Sequence, residues 1–258
     1  MSKLETNCLH AGYQNAESTT KSHAAPLYRT TSYRFDSTEH ANNLFTLKEL
    51  GNIYTRLMNP TTDILEQRVA ALDGGAAALA LSSGTSAAFY RIINLAKEGD
   101  EIVSANNLYG GTYTQFNDIL PSMGITVKMV DPLDPENFAK AITEKTKAIY
   151  CEVVGNPLLD LVDLQAIGNI AHANGIPLIV DATFSTPALC RPLEHGADIV
   201  VHSLTKWLGG HGTIIGGIVV DSGKFDWTTG KHPLLSDPEP SYWNTSFAND
   251  LGDLAPLA

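Results

Sequence analysis

Cysteine is scarce in this sequence. Three occur in 258 residues, at Cys8, Cys151 and Cys190, with no CxxC pair and no Cys/His ligand spacing among them. That argues against a disulfide framework and against a structural zinc site, and it makes a reducing cytoplasm the expected compartment. Charge is also sparse: Asp, Glu, Lys and Arg make up 17% of the chain, with a formal net charge of -11. No long basic run is present, so nucleic acid is not an expected partner. No apolar run approaches the length that crosses a membrane, and none is expected to. The opening "MSKLETNCLHAGYQ" has no apolar stretch, so no secretory leader is expected. What the chain does have is 43% hydrophobic residues, enough to build one large or two modest cores.

The first 59 residues read as an N-terminal arm for subunit contacts. "NAESTTKSHAAPLYRTTSYRF" is rich in Ser and Thr and shows little helical periodicity, so it is expected to be extended. From Pro60 the pattern turns regular and a single large domain is expected over 60–258. "NPTTDILEQRVAALDGG" predicts a helix with Leu65, Val69 and Leu72 on one face and Gly74–Gly75 as its stop. Seven apolar runs then predict strands: "AALALSS", "EIVSAN", "ITVKMVD", "KAIYCEVV", "PLIVDAT", "DIVVHS" and "IGGIVV". Helices lie between several of them. "DPENFAKAITEKT" has Asp134 as cap and Pro135 at the first position; "DLQAIGNIAHANG" has Asp163 as cap, Leu164, Ile167 and Ala171 on one face and Gly175 as stop. Such alternation predicts an α/β fold with a seven-stranded, mainly parallel sheet flanked by helices. The last stretch, "SYWNTSFANDLGDLAPLA", starts a helix and gives no stop signal. The chain is therefore expected to be a piece of a longer protein, or a natural half.

In sheets of this kind ligands bind beyond the carboxyl ends of the strands. Three features fall there. After "ALALSS", Gly84 leads into a helix, and a small-residue turn at a helix N-terminus favours a phosphate. After "PLIV", Asp181 is a carboxylate at the end of an apolar strand, which is costly without a cation or a protonated ring nitrogen beside it. After "DIVVHS", Lys206 can act as a nucleophile toward a carbonyl if desolvated. Each alone has a plain structural explanation. Together they make the set that pyridoxal 5'-phosphate requires. "GGHGTIIGG" fails as a dinucleotide motif at Ile215 and leads into a strand. His195, His202 and His211 read as packing or loop residues, and no metal site is expected.

These residues carry a family resemblance. "VDATFSTPALCRPLEHGADIVVHSLTKWLGGHG" resembles the pyridoxal-phosphate enzymes of cysteine and methionine metabolism, the cystathionine γ-synthase group, and the likeness runs along the whole chain. It implies the aspartate aminotransferase-like type I fold. It also implies a Schiff-base role for Lys206, pairing of Asp181 with the pyridine nitrogen, and stacking and proton transfer by Tyr109. Gly84 and Thr85 match the backbone phosphate donors, with Ser83 beside them, and Ser203 and Thr205 match hydroxyl donors. Asn156 matches the residue near the phenolic oxygen, and Thr183 lies next to the ring. Tyr54 and Arg56 match a pair sent into a neighbouring subunit's site to hold the phosphate. That implies a homo-oligomer, a dimer-based tetramer, with shared sites.

Within the family, "EVVGNP", "CRPLEHGADIVVHSLTK" and "HPLLSDPEPSYWN" are most similar to O-acetylhomoserine sulfhydrylases. The implied reaction is γ-replacement on O-acetyl-L-homoserine with sulfide or a small thiol. The alternatives are cystathionine γ-synthase or γ-lyase activity, or a non-catalytic half acting as an assembly partner. Thr85 stands where the family often has Met, Ala182 where it often has Asn, and Gly111 where methionine γ-lyases tend to have Cys. The family's smaller C-terminal domain, with its substrate-carboxylate arginine, is expected to lie beyond residue 258. Arg68, Arg91 and Arg191 do not fit that role.

Overall fold

The computed structural model describes residues 3–14 and 19–251, and the chain divides into two compact units, Met1–Val69 and Ala70–Ala258. In the first unit the expected extended arm holds for part of its length only. Helix α1 forms over Leu4–His10 and α2 over Thr38–Phe45, where Ser37 caps by accepting from the His40 N–H. "DSTEHANNLF" lacks a clear apolar stripe, and a local cap, not periodicity, starts this helix. The segment between them is held by hydrogen bonds to the start of α3 (Pro60–Asp73). Thr61 Oγ1 donates to Pro26 O at 2.9 Å, and Asn59 Nδ2 donates to Tyr28 O at 2.9 Å. Ser32 and Tyr54 form an antiparallel bridge. Along α3, Val69 and Leu72 are buried as expected, whereas Leu65 is exposed.

The second unit contains all seven expected strands: β1 (Ala77–Leu81), β2 (Glu101–Ala105), β3 (Thr126–Val130), β4 (Thr146–Glu152), β5 (Leu178–Asp181), β6 (Ile199–Ser203) and β7 (Gly217–Asp221). They form one sheet in the order β1-β7-β6-β5-β4-β2-β3. β7 runs antiparallel to both its neighbours, and every other pair is parallel. The central strands read as unbroken apolar runs because both their faces are covered: Ile149, Ile179, Val180, Ile199, Val200 and Val201 are all buried. Each such side chain contributes about 1.5–3 kcal/mol on burial.

Helix α4 (Gly84–Ile93) follows β1 and α5 (Gly110–Thr114) follows β2. α5 widens into a π-helical segment over Gln115–Ile119, which continues as α6 (Leu120–Ser122). α7 (Glu136–Ala141) is shorter than its sequence promises. Asp134 does cap it, accepting from the Glu136 N–H at 3.0 Å, but the backbone turns extended at Ile142. α8 (Leu164–Ala173) is capped by Asp163 and buries Leu164, Ile167 and Ala171, as expected. Towards the end, short turns form at Pro240–Tyr242 and Phe247–Asp250; the expected run-on over "GDLAPLA" lies outside the described residues. None of the described helices is long and apolar enough to cross a membrane.

Candidate active site

The turn after β1 is built for close approach. Ser83 caps α4 by accepting from the Ser86 N–H at 3.0 Å. A Cβ on Gly84 would lie 2.5 Å from Ser203 Cβ, and one on Gly217 would run into Ser83 O. Side chains are thus excluded at both positions, and the turn sits flush against the ends of β6 and β7. Helix geometry leaves the first N–H groups of α4, at Gly84 and Thr85, without partners inside the helix. They form a ready cradle for an anion.

Asp181 ends β5. Its Oδ1 accepts from the Thr183 N–H at 2.8 Å, and the Tyr150 hydroxyl lies 3.4 Å from its Oδ2. Burial raises Asp181 above the ordinary carboxylate range; the Thr183 hydrogen bonds and nearby His202 offset part of that rise. Among the described residues no cation forms an ion pair with Asp181. Thr183 in turn fastens the end of β6, its Oγ1 accepting from the Ser203 N–H at 2.7 Å.

Lys206 follows β6 in a π-helical turn, Leu204–Leu208. Its own backbone leaves helical geometry there, at φ -96 and ψ -122. Thr205 Oγ1 accepts from the Gly216 N–H at 3.1 Å and lies 3.3 Å from Gly216 O, which ties this turn to the entry of β7. Tyr109 caps α5 with its ring against Gly111, where a Cβ would lie 2.6 Å from Tyr109 Cε1. Its backbone N–H donates to Glu152 Oε1 at 2.7 Å. The Asn156 N–H donates to Asn107 O at 3.0 Å.

These groups surround one cavity of about 740 Å³. Ten of the twelve residues singled out by sequence line it: Ser83, Gly84, Thr85, Tyr109, Asn156, Asp181, Thr183, Ser203, Thr205 and Lys206. Tyr54 and Arg56 belong to the first unit, where the Arg56 guanidinium lies 5.5 Å from the centre of the Tyr54 ring. The histidines take structural places: His202 donates or accepts at 2.7 Å with Asp73 Oδ2, both fully buried, and His211 is exposed. Among the described residues no cluster of His, Cys, Asp and Glu could hold a metal ion.

Sequence reasoning missed Glu152, which also lines the cavity. The signal was available. It is a carboxylate near the end of the apolar run "KAIYCEVV", the same anomaly that marked Asp181. Glu152 and Asp181 stand side by side in the β4–β5 register. Burial, with Asp181 adding to it, pushes Glu152 up to about 8, against the pull of the Tyr109 N–H.

The cavity suits pyridoxal phosphate on its own chemistry. An anion cradle, a buried carboxylate in need of a cation and a lysine face one space of adequate size. Comparison with known proteins agrees. The chain is 54% identical to an O-acetyl-L-homoserine sulfhydrylase of Leptospira meyeri over 99% of its own length and 58% of the relative's. It is 52% identical to a homocysteine synthase of Schizosaccharomyces pombe, over 98% of this chain and 59% of that one. A crystal structure of a putative O-acetylhomoserine (thiol)-lyase from Campylobacter jejuni, containing N'-pyridoxyl-lysine-5'-monophosphate, superposes with a TM-score of 0.92 at 38% identity. That match covers 95% of this chain and 60% of that one. The chain therefore spans less than two thirds of the length of these relatives. The family model described as Cys/Met metabolism PLP-dependent enzyme matches residues 5–238. On this footing of fold, cavity and sequence, the chain belongs to the pyridoxal-phosphate-dependent enzymes of cysteine and methionine metabolism.

Proposed function

We propose that the chain is the cofactor-binding part of an O-acetylhomoserine sulfhydrylase. It exchanges the acetate of O-acetyl-L-homoserine for sulfide or a small thiol, giving homocysteine or methionine. The observation that carries this reading is the meeting of Lys206, Asp181 and the Gly84–Thr85 turn in one cavity. Bound pyridoxal phosphate supplies an electron sink for negative charge on the substrate's Cα. The Gly84 and Thr85 N–H groups hold the phosphate, with Ser83, Ser203 and Thr205 adding hydroxyls. Asp181 would keep the ring nitrogen protonated, Tyr109 would stack on the ring, and Asn156 and Thr183 would contact it. Lys206 Nζ would hold the aldehyde and, as a free amine, would carry the proton taken from the substrate's Cα. Gly111 favours this reading over a methionine γ-lyase, in which a cysteine tends to stand at that place.

The reading extends to a homo-oligomer, a dimer-based tetramer in the cytoplasm, in which Tyr54 and Arg56 complete the phosphate site of a neighbouring copy. Phe184, Trp207 and Ile215 line the cavity and are 49%, 63% and 78% exposed, an apolar surface that a second copy would cover. Mixing an Arg56→Ala chain with a Lys206→Ala chain should restore part of the activity through hybrid sites. No recovery in demonstrated mixed dimers contradicts the sharing.

None of the arginines weighed for the substrate carboxylate lines the cavity. Arg68 Nε donates to Ala11 O, Arg91 lies 3.8 Å from Asp221, and Arg191 pairs with Glu194. Losing a charged clamp of that kind costs about 2–5 kcal/mol. The 258-residue chain should therefore turn over O-acetylhomoserine and sulfide with a kcat/KM roughly 30-fold to several thousand-fold below that of a chain extended to its relatives' length. Equal kcat/KM would place the carboxylate contact in this half. Inactivity of the extended chain on this pair, with activity on cystathionine substrates or with none at all, would replace the reading with a synthase, a lyase or a non-catalytic half.

A further inference from the structure

Tyr109 stands at a weak point of the backbone. It caps α5, a helix of five residues whose first two, Gly110 and Gly111, are poor helix formers, and no side chain of its own loop caps that helix. The loop before it is tethered twice by backbone. The Asn106 N–H donates to Val130 O at 2.9 Å, and Asn107 O accepts from the Asn156 N–H at 3.0 Å. Neither tether reaches Tyr109 itself. Its N–H is met from β4, by Glu152 Oε1 at 2.7 Å. One turn further on, buried Gln115 reaches back and donates through Nε2 to Thr85 O at 3.2 Å, in the turn that opens α4. This is where the helix widens to π geometry, a distortion common at functional sites.

We propose that Glu152 is a positioning residue whose carboxyl oxygen, and not its charge, fixes Tyr109 at the cavity, while Gln115 ties the same helix to the Gly84–Thr85 turn. The ring-contacting tyrosine and the anion cradle thereby keep one fixed spacing. Burying a carboxyl beside Asp181 has a cost, and a site that needs the acceptor accounts for its presence. With Glu152 pushed up to about 8, the group keeps its proton near neutral pH, and its C=O still accepts. The proposal rests on the cofactor reading above for its purpose, but not for its test.

Four variants decide it: Glu152→Gln, which keeps an acceptor oxygen at the same reach; Glu152→Asp, which keeps the acid but withdraws it by one methylene; Tyr109→Ala; and Glu152→Asp combined with Tyr109→Ala. In the cofactor-free chain, amide hydrogen exchange at Tyr109 should stay protected in Glu152→Gln. In Glu152→Asp it should lose at least about threefold of its protection, the equivalent of one neutral hydrogen bond. With pyridoxal phosphate added, Glu152→Gln should keep the visible circular dichroism of the bound cofactor. Glu152→Asp should lose more than half of it with an unchanged far-ultraviolet spectrum, and in the Tyr109→Ala background it should subtract nothing more. Loss in Glu152→Gln with retention in Glu152→Asp would overturn the proposal, as would effects that add in full to those of Tyr109→Ala. Should Glu152→Asp not fold, the Tyr109 amide in Glu152→Gln decides alone: protection supports the proposal and exposure overturns it. A parent chain that binds no pyridoxal phosphate would sink the cofactor reading and leave the exchange result to judge this one.

Discussion

Asp73 and Asp181 are carboxylates far apart in sequence that both come to lie beside β6, and the fold treats them in opposite ways. Asp73, at the end of α3, is fully buried and meets the fully buried His202 of β6 at 2.7 Å. Asp181, at the end of β5, has Thr183 and Tyr150 as hydrogen-bond partners and a second acid, Glu152, beside it in the sheet. The first is an acid–histidine pair joined by one contact, His202 Nε2 to Asp73 Oδ2, with Asp73 Oδ1 and His202 Nδ1 buried and unpartnered. The second is a pair of like groups facing a cavity, and among the described residues no cation forms an ion pair with Asp181. The contrast teaches that a buried acid marks a ligand site when the fold withholds its partner, and marks scaffolding when the fold supplies one.

The largest expected effect comes from breaking the Asp73–His202 pair. Asp73→Leu strands His202 in the core and should lower unfolding stability by about 3–5 kcal/mol, measured by denaturant titration. Asp181→Asn should do the reverse in the cofactor-free chain, raising stability, because it removes an acid that burial disfavours. The same variant should weaken pyridoxal phosphate binding. Destabilisation of the cofactor-free chain by Asp181→Asn, comparable to that from Asp73→Leu, would erase the contrast.

A smaller effect sharpens it through pH. Glu152 is raised from its ordinary value of 4.5 to about 8. Between those values the folded state holds more protons than the unfolded one, so stability falls as pH rises across that window. Asp181, Asp198 and Asp221 are raised by burial too and act in the same direction. The melting temperature of the cofactor-free chain should therefore drop from pH 5 to pH 8, all other things equal. Glu152→Gln should flatten the drop without abolishing it. An unchanged slope in that variant would mean that Glu152 titrates normally.

Much of this was legible in the sequence. Continuous apolar runs such as "DIVV" and "PLIV" announce strands of a parallel sheet because both faces need covering. Asp181 stood out because its charge follows "PLIV" directly, and Lys206 because it comes in the loop just past "DIVVHS". The parts that stayed hidden depend on contacts distant in sequence. His202 read as a packing residue, and its partner lies 129 positions away at Asp73. Glu152 sits inside a run, one place before two valines, so its carboxyl could be taken for an exposed strand edge until β5 was laid beside it. The helix Thr38–Phe45 was missed since a short Ser-capped segment carries too few apolar residues to show a stripe. α7 ended early at Ala141 because Ile142 turns to extended geometry, which the helix-forming "TEKT" beyond it did not foretell.

The central claim is that the open carboxylate and Lys206 face the same bound cofactor. Reduction of the pyridoxal-phosphate-loaded chain with borohydride, followed by peptide mass spectrometry, tests it directly. The account predicts a single reduced adduct on Lys206, with a lower yield at equal cofactor concentration in Asp181→Asn. An adduct on another lysine, or none in a folded chain saturated with cofactor, would contradict it.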